Sequence, residues 1–134
     1  MRQLENLHYA IGEMAYAIAC ADGKIQKEER QKFHDIVKEE LRNKDYDFNI
    51  SDIIFQILEK DSGSIEEAYN SAIHQIRVNS NYLSPELKET FIMVIESVAR
   101  AFPPVAIREI DLLKKFREEF KSINGDPIYY KNKS

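Results

Sequence analysis

Apolar residues return at intervals of three and four along nearly the whole chain, and no segment shows the strict alternation or the Val/Ile/Thr density of a strand. Leu4, Leu7, Ile11, Met14 and Ile18 mark a first helix from about Arg2 to Ala21, and Ala10, Ala17 and Ala21 add a second, small-residue stripe. Such a helix is apolar on most sides and belongs at the centre of a fold. Gly23 ends it, because glycine accepts the backbone angles found just past a helix end. A second helix begins near Lys27, runs to about Leu41 and turns Phe33, Ile36, Val37 and Leu41 inward, with Glu28 and Glu29 at its positive end. A third follows Asn49 or Ser51, places Ile53, Ile54, Ile57 and Leu58 inward and stops at Asp61-Ser62-Gly63. Ser64 and Glu67 form a capping box ahead of Ala68, Ala72, Ile73 and Ile76, the core face of a fourth helix. Ser84-Pro85 opens a fifth with Leu87, Phe91, Val94, Ile95, Val98 and Phe102. A sixth starts around Pro104 and places Ile107, Ile110, Leu113, Phe116 and Phe120 inward. Gly125-Asp126-Pro127 then breaks the chain.

These helices are not all independent. Ala21-Asp22-Gly23-Lys24-Ile25-Gln26-Lys27-Glu28-Glu29 returns 80 residues later as Ala101-Phe102-Pro103-Pro104-Val105-Ala106-Ile107-Arg108-Glu109. Upstream, Leu7, Ile11, Met14, Ile18 and Ala19 fall on Leu87, Phe91, Val94, Val98 and Ala99; downstream, Phe33 and Ile36 fall on Leu113 and Phe116. The expectation is an all-α, compact bundle of six to seven helices with an internal pseudo-two-fold helix-turn-helix repeat. It comprises one domain over residues 1–124 and a short tail over 125–134. Only the first unit keeps an acidic turn.

Composition narrows the function. At 134 residues the chain is long enough to bury roughly two-thirds of its unfolded surface in a single core. Its 31% charged residues and the lack of an apolar run near the ~20 residues a bilayer requires argue against a membrane protein. The first six residues lack the apolar stretch of a signal peptide, and the single cysteine, Cys20, leaves no intrachain disulfide; both point to the cytoplasm. Net charge is −4, made up of −5 over residues 1–80 and +1 over residues 81–134. Glu118 and Glu119 interrupt the nearest basic run, Lys114, Lys115, Arg117 and Lys121, so no stripe for nucleic acid forms.

The run Ala15-Tyr16-Ala17-Ile18-Ala19 leading into Asp22-Gly23-Lys24-Ile25 and Glu28-Glu29 resembles the TerB-like family, named for a tellurite-resistance protein. That family carries two copies of a motif close to Ala-Asp-Gly-x-Val/Ile-x-x-x-Glu on an all-helical fold, and the resemblance spans residues 4 to 120. It implies a role in tellurite or general stress resistance, and a divalent-cation site at the acidic positions. Carried over, those positions are Asp22, Glu28 and Glu29 from the first motif and Glu109 from the second. The second copy has lost its Asp-Gly pair, and Phe102 and Pro103 offer no side-chain ligand, so a symmetric two-motif site does not carry over.

Read from the residues alone, Asp22-Gly23-x-Ile25-x-x-x-Glu29 also matches the second half of an EF-hand loop. The first two ligand positions would fall on Ile18 and Cys20, which offer no carboxylate. Two readings remain for Asp22 and Glu29. They form a hard-oxygen site for Ca²⁺ or Mg²⁺ beside the free carbonyls of the first helix, or Asp-Gly stops one helix while Glu29 caps the next. His8, His34 and His74 show no ligand spacing with each other or with Cys20, whose place at a helix carboxyl end beside Asp22 suppresses the thiolate. No nucleophile-base order or glycine-rich phosphate loop stands out, so the chain reads as a non-enzymatic binding or scaffolding module. The alternative is a metal-free protein-protein interaction domain, with the bulky tail residues Ile128, Tyr129 and Tyr130 either docked back on the bundle or turned to a protein partner.

Overall fold

The computed structural model describes residues 2–19, 31, 35, 49–61, 63–101 and 107–131. Among them are six α-helices, one 3₁₀ turn and no strand: α1 (Arg2–Ala19), α2 (Asn49–Lys60), α3 (Ile65–Val78), the 3₁₀ turn Ser80–Tyr82, α4 (Pro85–Ala101), α5 (Ile107–Lys121) and α6 (Pro127–Tyr130). The expected second helix lies outside the described residues except at Gln31 and Asp35. Both are helical, and the Gln31 amide donates to Asp35 Oδ1 at 3.0 Å, the i to i+4 spacing of a helix face.

Residues 10–19 of α1 are all buried, so this helix is the axis of the bundle. Alanine at 10, 15, 17 and 19 favours the helical backbone and adds little bulk, which lets neighbours pack on every side. α2, α3, α4 and α5 all rest against it. α3 runs antiparallel to it. Tyr16 near the end of α1 donates its hydroxyl to Gly63 O at 2.7 Å, just before α3, whereas Asn6 near the start reaches Asn79 Oδ1 at 3.4 Å, just after α3.

The helix starts follow their sequence signals. Ser64 accepts from the Glu67 amide at 3.2 Å, and Ser84 from the Leu87 amide at 3.1 Å with Pro85 at the first helical position. Each hydroxyl satisfies one of the free amides of a helix amino end. Ser84→Ala is expected to cost about 1 kcal/mol, read as a lower urea midpoint with unchanged slope.

Two expected core positions are corrected. Ile57 is 48% exposed, whereas Phe55 is fully buried and meets the Tyr16 ring edge-on at 6.1 Å. α2 is apolar at 53, 54, 55, 57 and 58, so spacing alone did not fix its inner face. The largest ring took the core, and Ile57, about 200° further round the helix, was turned outward. Ile110 is 45% exposed, while Leu113, Phe116 and Phe120 are buried. The buried α5 stripe is centred about 100° away from Ile110.

α5 ends in a cation clamp. The Lys88 ammonium of α4 donates to Lys121 O at 3.1 Å, Ile123 O at 2.6 Å and Asn124 Oδ1 at 2.9 Å, placing positive charge at the negative end of α5. The tail then docks back on the bundle. The Asp126 amide donates to Asn81 O at 3.1 Å, the Asp126 side chain caps α6 through the Ile128 amide at 3.0 Å, and Tyr129 meets Tyr82 edge-on at 5.5 Å. Among the described residues, no helix is long and apolar enough to cross a membrane.

Candidate functional site

The acidic stretch begins at Asp22, three positions past the described end of α1. Asp22, Glu28, Glu29 and Cys20 lie outside the described residues; Glu109 is the third residue of α5, and its side chain is also outside them. Among the described residues, no three His, Cys, Asp or Glu side chains converge on a point where a metal ion would sit.

The described bundle holds one carboxylate that the sequence reading did not single out. Glu13 sits in the middle of α1, is only 6% exposed, and has no hydrogen-bond partner for Oε1. Burial pushes its carboxyl up to about 7, because an apolar surround penalises the charged form. The Ser71 hydroxyl of α3 opposes this by favouring the carboxylate. A sequence signal was present: Glu13 is the only acidic residue between Glu5 and Asp22, and no lysine or arginine lies in that stretch.

His8, one and a half turns earlier on α1, is buried too. Its Nδ1–H donates to Leu4 O at 2.7 Å and its ring meets Phe91 of α4 edge-on at 5.8 Å. A carbonyl oxygen only accepts, so Nδ1 carries the proton.

A second polar cluster joins α3 to α5. The Tyr69 phenol donates to Glu119 Oε1 at 2.7 Å, Arg77 pairs with Glu119 Oε2 at 3.1 Å, and the Lys115 ammonium lies 4.9 Å from the centre of the Tyr69 ring. Burial and the Glu119 carboxylate push the Tyr69 phenol well above its ordinary range. Phenol and carboxylate satisfy each other, so this cluster braces two helices. The Glu96–Arg117 pair, with nitrogen–oxygen distances of 2.7 and 2.6 Å, does the same between α4 and α5.

An open groove of about 560 Å³ lies where the start of α1, the start of α4 and the tail meet. Leu4, Leu87, Tyr82 and Tyr130 line its apolar side, and Glu86 and Lys131 its charged rim. Beside it, Ile128 and Tyr129 of α6 are exposed although the tail itself is docked. Set against protein-family models, curated proteins and solved structures, the chain matches none of them.

Proposed function

We propose that this chain is a TerB-like helical binding module of a stress-response type, which holds a divalent cation at the acidic turn between its first two helices. The observation that supports the reading is a shared register of burial. Leu7, Ile11, Met14, Ile18 and Ala19 of α1 are buried, and so are Leu87, Phe91, Val94, Val98 and Ala99, their counterparts 80 positions on in α4. A pseudo-two-fold pair of helix-turn-helix units has this register. In that arrangement the first unit's Asp22 and Glu29 supply hard oxygen ligands beside the carbonyls ending α1, with Glu28 next to them and Glu109 from the second unit. Such a set suits Ca²⁺ or Mg²⁺. A single cysteine fits work in the cytoplasm.

Thermal unfolding with and without millimolar Ca²⁺ or Mg²⁺ tests this. A cation at about 100 times its dissociation constant is expected to stabilise the wild type by about 2.7 kcal/mol. That gain should vanish in the Asp22→Asn/Glu29→Gln double variant. An equal, small response in both proteins would leave Asp22 and Glu29 as helix-end residues. A metal-free interaction domain is the second reading, favoured by the exposed Ile128 and Tyr129 beside the groove.

A further inference from the structure

Glu13 stands apart from the acidic turn, and nothing in the proposed binding role uses it. It occupies the most buried stretch among the described residues, where residues 10–19 are all shielded, yet one of its oxygens has no hydrogen-bond partner. An ionised carboxylate held this way is costly, and the same group carrying a proton is far less so. The element across from it is α3, where Ser71 is half-buried and so sits at the solvent edge of the seam.

Among the described residues, the charged groups around α1 do not offset that cost. On α3, Glu67 and His74 lie one turn to either side of Ser71, and both are exposed. α2 ends on Lys60, and Asp61 follows it; both are exposed. On α4, Glu96 is tied to Arg117 of α5, and Lys88 to the end of α5. On α5, Glu119 is engaged by Tyr69 and Arg77. On α1 itself, Glu5 is exposed and His8 is held on Leu4 O. Among the described residues, only burial and the Ser71 hydroxyl act on the Glu13 carboxyl.

We propose that Glu13 is a proton-binding device set in the seam between α1 and α3: protonated, it lets the two helices stay closed, and ionised, it drives the seam to open toward water on the Ser71 side. The sign follows from linkage. Burial raises the folded-state value from 4.5 to about 7, so the folded protein binds a proton that the unfolded chain has released. This contribution to stability is complete below about pH 4.5, declines as pH rises and is lost above about pH 7. The Glu13 contribution is therefore largest on the acid side of neutrality, the reverse of a carboxylate in an ion pair such as Glu96.

The test compares urea unfolding of the full chain and its Glu13→Gln variant from pH 4.5 to 8.5. Glutamine keeps the shape and cannot ionise. The wild-type unfolding constant should rise, relative to the variant, by up to roughly tenfold per pH unit until near pH 7 and then level off. Every other residue is the same in both proteins, so its contribution cancels in the ratio. Amide exchange in α1 and α3, corrected for its intrinsic pH dependence, should quicken above pH 7 in the wild type alone. Parallel stability curves would overturn the proposal. If the variant does not fold, the wild-type Glu13 carboxyl carbon resonance decides: a midpoint near 7 that moves up in Ser71→Ala supports it, and a midpoint near 4.5 rejects it.

Discussion

Replacing Phe91 with alanine is expected to destabilise the protein by about 3–5 kcal/mol, the usual cost of removing a fully buried aromatic ring. Phe91 has no exposed surface, and its ring meets His8 edge-on, so it fills the space between α1 and α4. The rigid backbones of two packed helices close only partly over the void, which adds a cavity cost to the lost transfer energy. A domain of this size holds only about 5–15 kcal/mol in all. The melting temperature should therefore fall by roughly ten degrees or more. Ile92, the next residue, is the control. It is exposed, so Ile92→Ala should stay within about 0.5 kcal/mol of wild type. Equal losses at 91 and 92 would mean that α4 does not present the face described.

That contrast also shows what the sequence can carry. In α4 the apolar stripe is bounded by polar residues, so spacing identified the inner face, and Leu87, Phe91, Val94, Ile95 and Val98 are all buried. The serine caps at 64 and 84 were legible because a hydroxyl two or three residues before a free amide is a local event. α2 was ambiguous for the opposite reason. Five of its six residues from 53 to 58 are apolar, and only tertiary packing chose Phe55 over Ile57. Tyr69 was passed over because its hydroxyl suggests a surface residue, while its partner Glu119 is 50 positions away and no local pattern joins them.

The candidate site was legible only as a motif. The turn from Asp22 to Glu29 stands out by residue type, and nothing in the described residues adds geometry to it. Glu13 went unread because periodicity weighs apolar positions and treats a charged residue in a helix as solvated. On a helix buried on every side that inference fails: no solvent face remains, and the carboxyl must change its proton affinity instead.

A large backbone effect is expected at Gly125. A Cβ there would lie 2.1 Å from Leu83 O, 2.7 Å from Leu83 C and 3.1 Å from Ser80 O. All three are main-chain atoms, so no side-chain rotation relieves the overlap, and Gly125→Ala must push the tail off the 3₁₀ turn. What is then at stake bounds the loss. The Asp126 amide gives up its bond to Asn81 O, worth about 1 kcal/mol. The Tyr82–Tyr129 ring contact is worth about 0.5–1.5 kcal/mol. Ile123, now buried, adds about 1.5–3 kcal/mol if it too is exposed. The expected cost is thus about 3–5 kcal/mol if Ile123 is drawn out, and nearer 2 if the Lys88 clamp on Ile123 O keeps it in place. Limited proteolysis separates the two. Cleavage confined to residues beyond 125 with a small loss of stability means the clamp holds, whereas cleavage reaching the end of α5 means it has failed. Ile128→Ala, at a side chain 69% exposed, should change neither measurement. A neutral Gly125→Ala would show that the tail does not rest on the 3₁₀ turn.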